Sequence, residues 1–165
     1  MFEQRLRQAI RAALGSRARL AAMRIDVDDM AGLNGVVGRG FADRVLRQAA
    51  ARMARVLGPR GSLARLREDD FAAFTPVGDF AAAGELAQAL LEACRAPYLL
   101  GGVSARATVS VGIALYPLHA RECAALLRRA EKALHGAKAL GGDRYFACPA
   151  TCCAGTGRRP RTGRA

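Results

Sequence analysis

The segment from Thr108 to Tyr116 constrains the fold most. Val109, Val111, Ile113 and Leu115 alternate there with Ser110, Gly112 and Ala114, the period-two signature of a β-strand. A strand needs partners, and the chain supplies several candidates. Leu20 to Val27 is short, apolar and ends in Asp26-Val27-Asp28-Asp29, so acids gather where that strand exits. Ser62 to Leu66 and Phe71 to Thr75 flank four polar residues and predict a hairpin with its tip at 67 to 70. Tyr98 to Leu100 and Val103 to Ala105 flank Gly101-Gly102, a two-residue turn suited to a second hairpin. Arg144 to Ala147 predicts a last short strand.

Helical spacing occupies the intervals. Leu6, Ala9, Ile10, Ala13 and Leu14 predict an amphipathic helix over residues 2 to 14. The stretch from Gly32 to Gly40 is broken by glycine. A second helix follows, with Phe41, Val45, Ala49, Met53 and Val56 on one face and a stop at Gly58-Pro59. Glu85 to Ala93 predicts a third and Glu122 to Leu140 a fourth, the latter closed by Gly141-Gly142. Helices alternating with strands and interrupted by hairpins predict a mixed sheet covered by helices. At 165 residues the chain suits one core. Residues 1 to 147 form that domain, and 148 to 165, rich in Gly, Thr and Arg, read as a basic, disordered tail.

The net charge of +12 invites a nucleic-acid reading, but Arg158, Arg159, Arg161 and Arg164 place four of those charges in a tail without acids. All but two of the 26 basic residues are arginine, which points to a bias of composition. Aromatic residues make up 5% and there is no Trp, so platforms for stacking bases are scarce. A basic nucleic-acid-binding protein is therefore the third reading. Cysteines 94, 123, 148, 152 and 153 are odd in number and irregular in spacing, so reduced thiols are expected and a zinc set is not. No apolar run approaches the roughly 20 residues that span a bilayer. The charged start, Glu3 to Arg7, is not that of a secretory signal, so a cytoplasmic address is expected.

The order Asp26-Val27-Asp28-Asp29-Met30, Asn34, Gly38, Asp43 resembles the first motif of the GGDEF family, Asp-x-Asp-x-Phe-Lys-x-x-Asn-Asp-x-x-Gly-His-x-x-Gly-Asp. Leu63-Ala64-Arg65-Leu66 leads into the place of the name motif, Arg67-Glu68-Asp69-Asp70-Phe71. Thr108 to Ala114 resembles the family's Ser-x-Gly-Ile-Ala strand, and Ala133 to Lys138 with Gly141 resemble its closing helix. The matches keep the family's order over residues 2 to 147. The resemblance implies an α+β, ferredoxin-like or adenylyl-cyclase-like palm, with a central antiparallel-rich sheet flanked by helices.

In that family two subunits each hold a GTP, and each nucleotide's 3′-hydroxyl attacks the other's α-phosphate to give cyclic di-GMP. Phosphoryl transfer needs divalent cations to spread the developing charge, and carboxylate oxygens hold them. The resemblance assigns Asp26 and Asp69 to Mg²⁺ or Mn²⁺, and Asp69 and Asp70 to catalysis. It assigns Asn34 and Asp43 to guanine, and Lys138 with the backbone around Val27 and Met30 to phosphate. GTP, a second copy, or another GGDEF or EAL protein are the partners it implies.

The departures lie where the chemistry should be. Arg67 and Glu68 replace two glycines, and a β-carbon in the left-handed region costs about 1 kcal/mol or more per residue. Asp70 is one methylene shorter than the family's Glu. The family's Phe-Lys is Met30-Ala31, and an expected Arg is Gly142, so two phosphate cations are missing. Arg24 shares a strand face with Asp26 and is expected to pair with it in place of metal. The family's inhibitory product site, Arg-x-x-Asp, falls on Gly58 and Gly61, so product feedback is not expected. The upstream Asp-x-Leu-Thr-Gly-Leu-x-Asn-Arg segment has no counterpart, and input is expected from a partner. The leading expectation is a degenerate site, weak or inactive, in a nucleotide-binding regulatory or interaction module. A working diguanylate cyclase is the alternative.

Overall fold

The computed structural model describes residues 1–149. In order these form α1 (Phe2–Ala13), β1 (Arg19–Val27), α2 (Met30–Val37), α3 (Arg39–Leu57), β2 (Ser62–Arg65), β3 (Asp70–Val77), α4 (Phe80–Arg95), β4 (Tyr98–Leu100), β5 (Val103–Ala105), β6 (Val109–Tyr116), α5 (Cys123–Ala139) and β7 (Tyr145–Ala147). The main sheet runs β2-β3-β1-β6-β7, and β4 pairs with β5 separately. Among the described residues only the β6–β7 pair is parallel. This is the expected α+β architecture, an antiparallel-rich sheet between helices. The tail expectation falls, beyond Pro149, outside the described residues, as do Cys152 and Cys153; Cys94, Cys123 and Cys148 are buried.

Alternation along the strands sorts side chains into two cores. Ala21, Met23, Ile25 and Val27 of β1, with Val109, Val111, Ile113 and Leu115 of β6, meet α3 and α4. Leu20, Ala22, Ala114 and Tyr116 meet α1 and α5. Every residue of β6 is therefore buried. Gly112 makes the second face possible: a β-carbon there would lie 2.1 Å from Ala130 O and Leu134 N. Helix α5 thus rests backbone against strand at Gly112, and its next turn carries Lys138 over the end of β1.

Two helices differ from expectation. The Gly-broken stretch 32 to 40 contains α2, because Asp29 Oδ1 accepts from Gly32 N at 3.0 Å and caps its first turn. Glycine at 32 suits this cap, since a β-carbon would sit 2.5 Å from the Asp29 carboxylate. Helix α4 begins at Phe80, five residues early, because Asp79 accepts from Ala82 N at 2.8 Å. Among the described residues no helix is long and apolar enough to cross a membrane.

Candidate functional site

A cleft of about 270 Å³ opens between α2, the start of α3 and the β2–β3 tip, lined by Met30, Asn34, Ala42, Asp43, Leu46, Arg65, Glu68 and Asp69. The acids in its wall are Asp43 of α3 and Glu68 and Asp69 of the hairpin tip. The structure thus brings together Asn34, Asp43 and Asp69, with Met30 and Glu68 in the same wall. Asp43 accepts from Arg47 and from Arg65, the latter at 3.3 Å. Those two guanidinium groups, Arg47 first, hold its carboxyl below the usual range.

The hairpin tip has been rebuilt without glycine. Among the described non-glycine residues only Asp29 and Asp143 have positive φ, so Arg67 and Glu68 carry none of the left-handed strain expected for them. Leu66 N and Arg67 N donate to Asp70 O at 2.8 and 3.3 Å. Arg65 Nε donates to the carbonyls of Arg67 and Glu68 at 3.3 and 2.9 Å. Arg65 was not among the expected site residues; its only sequence signal is its place two residues before the tip. Phe71, by contrast, is 1% exposed and belongs to the core beneath α3 and α4. The N–H of Val27 donates to Asp69 O at 3.1 Å and is committed to the fold rather than free for phosphate.

Asp26 and Asp70 are cross-strand neighbours, and their side chains meet groups from the α5 side of the sheet. Arg24 pairs with Asp70 at 2.5 Å and with Glu131 at 3.6 Å, and Lys138 Nζ lies 2.5 Å from Asp26 Oδ1. The expected Arg24–Asp26 pair is therefore corrected: the arginine turns across to β3, and the α5 lysine takes its place. Burial pushes the Asp26 carboxyl up, against the pull of Lys138, and Asp69 and Asp28 push it further. Despite the close lysine, Asp26 Oδ1 is buried without an aligned hydrogen-bond donor.

The half-buried Asp26 carboxylate, paired with Lys138, and its acidic neighbours Asp28 and Asp69 carry the oxygen donors of a hard cation, which takes one or two carboxylates and completes its shell with water and phosphate. Asp26 and Asp69 are the carboxylates that the resemblance would give to it. Among the described residues no group of three or more His, Cys, Asp or Glu side chains gathers as a ready metal site.

Asp28 is another residue that sequence reasoning passed over. It accepts from Thr108 Oγ1 and Ser110 Oγ, both at 2.7 Å, and from Asp143 N at 3.1 Å, tying β1 to β6 and to the turn after α5. Gly142 sits against this knot at φ +72, where a β-carbon would lie 3.2 Å from Asp28 Oδ1 and Ser110 Oγ. At Gly61 a β-carbon would lie 2.7 Å from Leu57 Cβ and 2.8 Å from Leu57 O, which leaves no room for the family's aspartate.

The comparisons bear on the family and the fold. Residues 1–144 match the family model described as diguanylate cyclase, GGDEF domain. The diguanylate cyclase TpbB of Pseudomonas aeruginosa is 37% identical over 139 residues, 83% of this chain and 32% of that protein. MucR of the same organism, a bifunctional diguanylate cyclase and cyclic di-GMP phosphodiesterase, is 30% identical over 145 residues, 88% of this chain and 21% of its own length. The crystal structure of the TpbB GGDEF domain superposes with a TM-score of 0.87 at 34% identity, covering 90% of this chain and 93% of that one. The chain spans about a third or less of these curated relatives' lengths. With a matched model across nearly all of the described residues, the chain belongs to the GGDEF family of diguanylate cyclase domains.

Proposed function

We propose that this domain binds a guanine nucleotide with Mg²⁺ or Mn²⁺ and converts it slowly or not at all, serving as a regulatory or interaction module in cyclic di-GMP signalling. One contrast carries the reading. Asn34, Asp43 and Asp69 face a common cleft, whereas Asp70, expected to act in catalysis, is tied to Arg24. The cleft is smaller than the roughly 300–1,000 Å³ of sites that enclose a whole ligand, so it suits a base with the phosphates outside. Glu68 adds negative charge to the wall beside Asp69, where phosphates would approach. A divalent cation on Asp26 and Asp69 would neutralise part of that charge and polarise the α-phosphate. The partners that fit this role are a second copy or another GGDEF or EAL protein.

Calorimetry of GTP with Mg²⁺, run beside an assay for cyclic di-GMP, tests the proposal. Binding at roughly 1 µM to 1 mM with turnover far below about 1 s⁻¹ is the expected outcome. No binding would overturn it. A working cyclase is the second reading, favoured by the surviving trio of Asp26, Asp69 and Lys138. Turnover near ordinary enzyme rates, rising with protein concentration as two facing subunits require, would establish it instead.

A further inference from the structure

Arg65 touches both halves of the cleft at once. Its Nε donates to the carbonyls of Arg67 and Glu68, and its Nη1 donates to Asp43 Oδ1 at 3.3 Å. The other Asp43 oxygen is taken by Arg47. A guanidinium is a rigid planar fork, so one edge cannot move far without tilting the other. Asp43 belongs to α3, while the carbonyls belong to the tip that carries Asp69. One side chain therefore joins two elements that share the cleft.

A guanine edge presents two adjacent N–H donors, and a carboxylate accepts them best with both oxygens. Those oxygens are engaged by arginines in this state. We propose that Arg65 is a positioning residue that couples Asp43 to the hairpin tip, so that a base docking on Asp43 draws Arg65 away and loosens the segment around Asp69. The ligand half of this inference rests on the base-site reading above. Base recognition and tip order then oppose each other until another anion, such as a nucleotide phosphate, engages the freed guanidinium. A purely supporting role for Arg65 would give no such link to Asp43.

The tip reports on itself, because Leu66 N and Arg67 N both donate to Asp70 O. Hydrogen exchange at these amides is measured in the full chain, in Asp43→Asn, in Arg65→Met and in the double variant. Each single change is expected to speed exchange about tenfold, as local opening becomes easier. The double variant is expected to exchange no faster than Arg65→Met. No effect of Asp43→Asn, or effects that multiply in the double variant, would overturn the coupling. Should Arg65→Met fail to fold, the response to Asp43→Asn decides the question by itself.

A second arm adds guanosine, which has the base but no phosphate. It is expected to speed exchange at Leu66 and Arg67 in the unaltered protein and to leave Arg65→Met unchanged. Guanosine that binds without altering exchange would overturn the proposal. Guanosine that does not bind would refute the base-site reading and with it the ligand-driven release, while the variants still report whether Asp43 and the tip are coupled.

Discussion

Lys138 Nζ lies 2.5 Å from Asp26 Oδ1, so the lysine expected at phosphate is held by the carboxylate expected at metal. The pair reaches from α5 to the end of β1, and Gly112 makes it possible by letting the helix backbone settle on the sheet. In this state each group neutralises the other.

Asp26→Asn is expected to stabilise the protein at pH 7. Burial is the main cause of the raised Asp26 pKa, so its contribution to stability is fully present below the ordinary carboxylate pKa of about 3.9 and is lost as pH rises through the higher folded value. Asparagine keeps the neutral form at every pH. The melting temperature should rise by roughly 1 to 4 °C at pH 7 and hardly at all at the acid end. The same variant should lose any stabilisation by Mn²⁺, which scanning calorimetry with and without the ion would read.

Breaking the Arg24–Asp70 pair is expected to be costly. The two side chains are 14% and 17% exposed, between the surface and fully buried cases, so Arg24→Met should destabilise by about 1–3 kcal/mol. Replacing both partners by Met should cost less than the sum of the single changes, because no unpaired carboxylate is left half-buried at position 70 and only the more exposed Glu131 loses a partner. Urea unfolding of the four proteins checks this.

Gly142→Arg, which restores a family cation, is expected to lower stability by about 1–2 kcal/mol, since φ there is positive. It should not raise turnover. The side chain would start from a backbone pressed against Asp28 and Ser110, and the knot that aligns β1 with β6 would have to yield. Chemical denaturation and a cyclic di-GMP assay read the two effects.

Restoring glycine at both Arg67 and Glu68 is expected to leave turnover well below about 1 s⁻¹. The present tip is unstrained, so the glycines relieve nothing, and Asp70 stays tied to Arg24. Recovery of ordinary rates in that double variant would show that side-chain bulk at the tip was the main obstacle.

Much of the architecture was legible because periodicity is local. The alternation at Val109 to Leu115, the glycine turn at 101 and 102, and the helical face of α5 each need only near neighbours in the chain. The α2 helix was missed because Gly32 and Gly35 lower helix propensity, while the Asp29 cap that compensates is a matter of side-chain geometry. The early start of α4 at Phe80, capped by Asp79, was missed for the same reason.

The sequence by itself determined which acids, amide and lysine the domain carries and that acids gather at the exit of β1 and at a hairpin tip. Tertiary structure decided what each one touches. Arg24 could have faced Asp26 along its own strand, yet the register that sets Asp26 opposite Asp70 and α5 above both gave the arginine to Asp70 and the lysine to Asp26. Arg65 became the bridge between Asp43 and the tip only once α3 was packed beside β2. Charge pairing is nearly blind to chain distance and depends on the last few ångströms, which the packing of helix on sheet sets and no local pattern encodes.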